Sequence, residues 1–433
     1  MALKMGDLEA KDLDNLFHPW THLGQHESNG PMVLERAEGV YMYDEDGRRY
    51  MDLYNNVPCV GHANPRVAEA MHQQLQTLNV HSRYLHDGIL EYAEKLSALH
   101  TSSIESVVFS CSGTEANEVA MTMARITTKG RAFICTNAAY HGNSNQVGQL
   151  THVPVGDRNR NHIYSIPYPQ KFRPIAKGLT DQELSQQYLK TLKDVITQIT
   201  DEGIGLAGIL ICPIFANEGL PDIPEGYMKS AAEMVRAAGG LVIIDEVQSG
   251  FCRTGNWWGY KTVGIEPDIV TMGKPMGNGL PLSAAAASQQ IVENYRARSR
   301  YFNTFASSPL QAVTGMAVLQ EIEDQDILNR VRDVGQYLRD SLNPYQNKVA
   351  ALGDIRSQGL FIGLDWVLDK ETLEPDREGA IKLVNLLKEE GFLMSNAGEF
   401  GNVVKIRPPL VFQREHADRF LNAFDSVMEK HFV

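Results

Sequence analysis

Short runs of apolar residues alternate along the middle of the chain with segments whose apolar residues recur every three to four positions. Short runs rich in Val and Ile are typical of buried strands, and the helical repeat is typical of helices packed on one face. The clearest predicted strands are 107–109, 132–136, 207–211, 241–245 and 269–272, with helices at about 88–98, 114–128 and 226–238. Repeated βα units predict an α/β fold whose mainly parallel sheet is covered by helices. A ligand is then expected at the carboxyl ends of the strands.

The two ends of the chain predict a second, smaller α/β unit. Alternating aromatic residues around the Asp-Gly pair at 46–47 predict a β-hairpin, followed by a helix from about 65 to 78. The C-terminal part predicts helices at about 310–343, 377–390 and from 414, and strands near 359–365, 392 and 403. We predict three segments: 1–65 as the N-terminal part of the small domain, 66–325 as a large ligand-binding domain, and 326–433 as the C-terminal part of the small domain.

Composition argues against several classes of function. The 433 residues carry a net charge of -13 at pH 7, so a basic surface for nucleic acid is not expected. No run approaches about eighteen apolar residues, and the first residues lack the apolar core of a signal peptide. We therefore expect a cytoplasmic protein that does not enter a membrane. Five scattered cysteines, with no CxxC pair or His/Cys cluster, predict reduced packing thiols and no metal site.

Lys274 is the residue on which the predicted chemistry depends. It closely follows strand 269–272, among glycines that let the backbone approach a ligand. Partial loss of hydration lowers a lysine's pKa and makes it a nucleophile toward carbonyl groups, although a snorkelling loop lysine is the alternative. Asp245 ends strand 241–245, so a carboxylate and an amine are expected at one sheet edge. That pair suits pyridoxal phosphate (PLP), whose ring nitrogen needs an acid and whose aldehyde needs an amine.

Three further stretches place polar or aromatic side chains beside predicted strands or helices. Residues 112–114 (Ser-Gly-Thr) lie where a strand gives way to a helix, and their hydroxyl and N–H groups either bind phosphate or cap the helix. The ring of Tyr140 either stacks on the ligand or belongs to the core. The polar loop 301–309 has the same two alternatives as 112–114.

Five motifs occur together: SGTEAN at 112–117, YHG at 140–142, IIDEVQSGFCRTG at 243–255, TMGKPMGNG at 271–279 and NTF at 303–305. In this order and spacing they resemble the class III (ω-aminotransferase-like) family of fold-type I PLP enzymes, over residues of about 18 to 414. The resemblance implies an aminotransferase that works in two half-reactions, on a small amine or amino acid and a keto acid such as pyruvate. It also implies a homodimer with shared active sites, and it leaves a tetramer open.

The resemblance also implies roles for individual residues. Lys274 would form a Schiff base with PLP and shuttle a proton, Asp245 would pair with the ring nitrogen, and Gln248 would lie near the phenolic oxygen. The other predicted cofactor-binding residues are Ser112, Gly113 and Thr114 for the phosphate, Tyr140 for stacking, His141 beside it, and Thr304 for the phosphate of the neighbouring subunit.

Arg407 is the predicted site for a substrate carboxylate. It matches the place where many family members carry an arginine, and a planar guanidinium fits a carboxylate through two hydrogen bonds. An interdomain salt bridge is the alternative. Trp20, Asn56 and Arg83 are the other predicted substrate-binding residues.

Two features favour a different reaction. YNNV at 54–57 and RYLHD at 83–87, together with MGKPMGNG at 272–279, look like the branch that contains the ethanolamine-phosphate and phosphohydroxylysine phospho-lyases. The family's usual Glu-Pro-Ile-Gln-Gly-Glu run is replaced by residues 212–217 (Cys-Pro-Ile-Phe-Ala-Asn), so the acid that often neutralises the arginine is missing, with Glu218 adjacent. A phospho-lyase is therefore the alternative function. A PLP-binding protein without catalysis is a third possibility, against which Lys274 argues.

Overall fold

The computed structural model describes residues 32–151 and 161–433, so the predicted substrate residue Trp20 lies outside the described residues. The strands β1 to β15 are, in chain order, Leu34–Glu38, Tyr41–Asp44, Arg49–Asp52, Ser106–Ser110, Ala132–Thr136, Ile163–Ile166, Leu206–Ile211, Leu241–Asp245, Ile269–Met272, Ser283–Ala287, Leu352–Ser357, Ile362–Trp366, Phe392–Leu393, Ser395–Ala397 and Val403–Ile406. The helices α1 to α12 are Pro65–Thr77, Asp87–Ala98, Gly113–Thr128, Asp181–Asp201, Tyr227–Ala237, Gly259–Thr262, Gln289–Arg298, Pro309–Asp324, Ile327–Leu342, Tyr345–Lys348, Arg377–Glu389 and Arg414–His431. No helix in these two ranges is long and apolar enough to cross a membrane.

A seven-stranded sheet in the order β4-β10-β9-β8-β7-β5-β6 forms the centre of the fold. Strands β5 to β9 run parallel to one another. Strand β10 is antiparallel to both of its neighbours, β4 and β9. The predicted α/β fold with a mainly parallel sheet is therefore confirmed. Asp245 pairs with Thr271 in the register of β8 and β9, so both strands end at the same sheet edge.

The antiparallel strand β10 is the main element of this sheet that the sequence pattern does not predict. Residues 284–287 are all alanines and are fully buried. Helix α3 packs against β9 and β10 and helix α7 also contacts β10, so the sheet leaves room there for little more than methyl groups. Alanine has no preference for strands, and a run of identical small residues shows no period. Close packing, rather than local propensity, therefore determines this strand.

Helix α3 begins at the same sheet edge because its first turn is capped from both sides. Ser112 Oγ accepts the backbone N–H of Glu115 at 3.2 Å, and Glu115 Oε2 accepts the backbone N–H of Cys111 at 2.7 Å. The buried side chains of Ala120 and Ala124 are small, so the helix can lie close to the sheet. The positive end of a sixteen-residue helix is thereby fixed where β4 ends.

Two four-stranded sheets lie outside the central one, in the orders β1-β2-β3-β13 and β11-β12-β15-β14. The Asp-Gly pair forms the turn of the predicted β2–β3 hairpin, where Gly47 has a φ of +78°. Strand β13 pairs in parallel with β3, so the two ends of the chain share one sheet. The domain boundaries near 66 and 326 stay a prediction. Strand β15 ends immediately before Arg407, whose guanidinium donates to Gln248 three residues beyond the end of β8 in the central sheet.

Candidate active site

A cavity of about 120 Å³ lies at the carboxyl ends of the parallel strands. Five sheet strands lead to it, since its lining residues follow or end β4, β5, β7, β8 and β9. The lining residues are Gly113, Thr114, Tyr140, His141, Gly142, Cys212, Asn217, Asp245, Val247, Gln248 and Lys274. Seven of the predicted site residues therefore meet in one cavity.

Lys274 contributes an amine to this cavity. It follows β9 by two residues and is partly buried. Burial lowers the pKa of the Lys274 amine, the carboxylate of Asp245 opposes that change, and the guanidinium of Arg407 adds to it. A lysine whose pKa is lowered in this way is more often uncharged, and the uncharged amine is the form that attacks a carbonyl or accepts a proton.

Asp245 contributes a buried carboxylate at the end of β8. Its Oδ2 accepts from His141 Nδ1 at 2.8 Å and from Asn117 Nδ2 at 3.1 Å, while Oδ1 accepts from the Val247 backbone N–H at 3.0 Å. Burial alone would raise the pKa of this carboxyl, but the hydrogen bonds and the nearby His141 hold the pKa below its usual value. Asp245 is therefore ionised, and it can hold a proton on a ligand's ring nitrogen.

Asn117 is a contributor to this site that sequence reasoning did not assign. Its Nδ2 donates to Asp245 and to the backbone oxygen of His141, and its Oδ1 accepts from Thr271 Oγ1 at 2.7 Å. It lies within the SGTEAN motif, one helical turn after Gly113. Because helical residues four apart share a face, that spacing was an available signal.

Residues 112–114, at the start of helix α3, were predicted either to cap the helix or to bind phosphate, and they differ in position. The Ser112 hydroxyl serves as the helix cap, and it is not a lining residue of the cavity. Gly113 and Thr114 do line the cavity, next to Gly142. A Cβ atom on Gly142 would lie 2.5 Å from Thr114 Oγ1, so this wall requires glycine. The positive helix end and the close backbone approach suit an anionic group such as phosphate.

Arg407 does not form the interdomain salt bridge that was its alternative role. No carboxylate of residues 32–151 or 161–433 lies within 4.0 Å of its guanidinium. Its Nε and one terminal nitrogen instead donate to the backbone oxygen of Tyr54 at 2.9 and 2.8 Å, and the other donates to Gln248 Oε1. Burial lowers the pKa of Arg407, and the side chains of Tyr54 and Asp52 oppose that change. A buried cation beside the cavity favours an anionic ligand.

Besides Ser112, four of the predicted residues that the structure describes do not line the cavity: Arg407, which contacts the lining residue Gln248, and Arg83, Asn56 and Thr304. Arg83 is exposed, with its guanidinium 4.4 Å from the ring centroid of Phe302. Asn56 is buried, and its Nδ2 has no hydrogen-bond partner among the described residues. Thr304 is exposed, a position that was predicted to serve a neighbouring subunit. Tyr140 does line the cavity but is 41% exposed, so its ring lies at the mouth.

The lining residues fit the predicted cofactor. An ionised carboxylate has about four acceptor positions. Asp245 uses three of them on protein donors, which leaves one for a ring N–H. Lys274 supplies the amine that an aldehyde requires, and the start of α3 supplies N–H groups for a phosphate. The residues present can therefore hold PLP.

Comparisons with known proteins agree with this geometry. The model of the family described as "Aminotransferase class-III" matches residues 23–428. A Drosophila melanogaster protein named alanine–glyoxylate aminotransferase 2-like is 33% identical over 93% of this chain and 84% of its own. A Caenorhabditis elegans protein named ethanolamine-phosphate phospho-lyase homolog 1 is 34% identical over 93% of this chain and 89% of its own. The solved structure of an Arthrobacter phospholyase in complex with phosphoethanolamine superposes with a TM-score of 0.90, at 38% identity, over 93% of this chain and 95% of that one.

Proposed function

The chain belongs to the class III aminotransferase family of PLP-dependent enzymes, and we propose that it exchanges an amino group between a small amine or amino acid and a keto acid such as pyruvate. The observation that carries the choice of substrates is the buried guanidinium of Arg407, which has no carboxylate partner among the described residues. A keto acid supplies the missing negative charge, and a planar carboxylate matches the donors of a guanidinium.

The residues of the cavity supply the proton transfers of this reaction. When bound, PLP acts as an electron sink for the negative charge that develops on the substrate carbon next to the amine. We propose that the Lys274 amine would hold the cofactor covalently until the substrate amine displaces it from the same carbon. The freed Lys274 amine would then take the proton from the substrate and return it at a different carbon. Asp245, held ionised by His141 and Asn117, keeps the ring nitrogen protonated and so preserves the electron sink.

Elimination of phosphate from an O-phosphorylated amino alcohol is the second candidate function. It is favoured by the names of two relatives, one of them solved in complex with phosphoethanolamine. Asn56 and Arg83, the predicted substrate-binding residues that would face such a phosphate, do not line the cavity. Arg407 is an alternative partner for a phosphate, since guanidinium groups bind phosphate and carboxylate alike.

We propose a homodimer on the basis of an exposed apolar patch. His81 and Arg83 both contact Phe302, which joins residues 81–85 and 301–305 into one surface. This patch leaves Leu85 95% and Phe305 69% exposed, and it contains the exposed Thr304. Large apolar side chains grouped in this way are typical of a protein interface. A second copy seated on the patch would receive Thr304 near its own site. Cytoplasmic location is also proposed, from composition alone.

One experiment separates the two reactions. The purified protein is incubated with pyruvate and a panel of amine donors that includes phosphoethanolamine, and alanine and free phosphate are assayed separately. Alanine formed in proportion to the donor consumed supports amino exchange. Rapid phosphate release without alanine would overturn this choice and establish elimination.

A further inference from the structure

A chain of four groups joined by hydrogen bonds runs along the wall of the cavity. Arg407 donates to Gln248 Oε1, Gln248 Nε2 donates to Asn217 Oδ1 at 3.1 Å, and Asn217 Nδ2 donates to the backbone oxygen of Tyr140 at 3.1 Å. Gln248 and Arg407 are buried, while Asn217 is half-buried and lines the cavity with Gln248. The chain therefore connects the buried cation to the residue at the cavity mouth.

The direction of every hydrogen bond in this chain is determined by its two ends. A guanidinium only donates, so Gln248 must present its oxygen to Arg407 and its amide nitrogen to Asn217. A backbone oxygen only accepts, so Asn217 must present its nitrogen to Tyr140. An amide is the side chain that accepts at one atom and donates at the other, and a carboxylate at 217 would place an acceptor against the Tyr140 oxygen.

Arg407 keeps part of its hydrogen-bonding capacity in this arrangement. A guanidinium has about five N–H donors. Three have partners among the described residues: two donate to the Tyr54 oxygen and one to Gln248. The other two are the number that a carboxylate takes in a bidentate pair. A neutral residue at 217 therefore orients Gln248 and Arg407 without adding a negative charge that competes for those donors.

We propose that Asn217 is a positioning residue that fixes Arg407 through Gln248 and keeps it open to a substrate anion in both half-reactions. The inference rests on the proposed function and deepens it, because it assigns a substrate class: amino donors and acceptors that each carry an anionic group at Arg407. A glutamate at 217 would reach toward Arg407 and become an internal competitor for the same donors. Because Gln248 and Asn217 are neutral, a substrate anion has no internal carboxylate to displace from Arg407.

The test measures anion binding rather than turnover. Titration calorimetry of the holoenzyme with sodium propionate, and with propanamide as its uncharged mimic, is carried out for wild type, Asn217→Glu, Asn217→Ala and Asn217→Asp. The exposed Asn347, in the short helix α10, gives a matched control as Asn347→Ala. Since propionate binding does not require amino transfer, failure of the proposed function would appear separately, as absent alanine production by a wild-type enzyme that still binds propionate.

We expect Asn217→Glu to weaken propionate binding by about tenfold or more, because the new carboxylate pairs with Arg407. Asn217→Ala removes the hydrogen bond that orients Gln248, together with the one to Tyr140, and should weaken propionate binding by about two- to tenfold. Asn217→Asp still accepts from Gln248, so its propionate binding should fall between those of these two variants. The KM for pyruvate should rise in the same order, with a smaller change in kcat. Propionate binding within about twofold of wild type in Asn217→Glu, or an equal loss of propanamide binding, would overturn the proposal.

Discussion

Replacing Lys405 with methionine should stabilise the protein more at pH 7 than at pH 10. Lys405 lies on β15, is 5% exposed, and has its amine 5.7 Å from the ring centroid of Phe361. Burial lowers the pKa of this amine to about 7, with Arg407 and Lys274 adding to the effect and Glu218 opposing it. An unfolded lysine keeps its ordinary pKa of about 10.4.

The sign of the effect follows from proton binding. Between these two pKa values the unfolded chain binds a proton at Lys405 that the folded chain does not, so stability rises with pH across the interval. Above the pKa of the unfolded lysine, Lys405 therefore does not destabilise the folded state. As pH falls from there toward 7, the destabilisation by Lys405 grows. At about 1.36 kcal/mol per pKa unit, the change between pH 7 and pH 10 amounts to about 3–4 kcal/mol. Methionine has a similar length and no charge, so Lys405→Met removes this dependence.

Thermal unfolding of wild type and Lys405→Met at both pH values measures the effect. With an unfolding entropy of about 2.1 cal/mol/K per residue, a change of about 3–4 kcal/mol corresponds to a Tm difference of about 4 °C. Lys177→Met provides the matched control, because Lys177 is exposed and should give the same Tm difference at both pH values. A Tm difference between Lys405→Met and wild type that does not change with pH would refute the assignment of a neutral buried amine.

The remaining predictions concern the cofactor, the substrate and the dimer. Lys274→Ala should lose both turnover and borohydride-reducible attachment of PLP, and trapped cofactor mapped to another lysine would contradict the assignment. Asp245→Asn should retain cofactor but lose about ten- to hundredfold in kcat, since a charge-assisted hydrogen bond of about 1.5–3 kcal/mol is removed. Near-normal turnover would argue against its role. Arg407→Ala should raise the KM for pyruvate with less effect on an uncharged amine donor, whereas Arg83→Ala should matter only if phosphate is eliminated. Leu85→Asp should yield monomers in sedimentation experiments with little activity, and an intact dimer would show that the patch is not the interface.

The sequence predicts five of the seven strands of the central sheet, all but β6 and β10, and its ligand-binding edge, because these depend on short-range patterns. A buried strand such as β8 is a run of Val and Ile, and Asp245 at its end needs no further information to be placed at the sheet edge. Helix α3 likewise follows from its periodic apolar residues and its Ser and Glu caps. Lys274 and Asp245 therefore meet in the cavity as expected.

The contacts between polar side chains could not be predicted in the same way. Gln248 and Asn217 are 31 positions apart, and Arg407 is 159 positions from Gln248. Whether such groups meet depends on side-chain directions that a linear motif does not contain. The same holds for Arg83, whose motif is similar to that of a binding residue, whereas its side chain lies on Phe302 and does not line the cavity. The Asp-Gly hairpin and the strand ends carry local signals, whereas these contacts do not.

The geometry at Arg407 shows why affinity alone cannot separate the two candidate reactions. Its remaining donors fit a carboxylate or a phosphate equally well, so both classes of substrate should bind. Among the described residues that line the cavity, Lys274 carries the one amine, and it would remove the same proton in either reaction. The outcome then depends on the substrate carbon next to the one that loses the proton. A phosphate ester on that carbon leaves as phosphate. An amine or amino acid that gives its amino group to a keto acid has no leaving group on that carbon, so the proton must return. The products formed from phosphoethanolamine, rather than its binding constant, therefore decide between elimination and amino exchange.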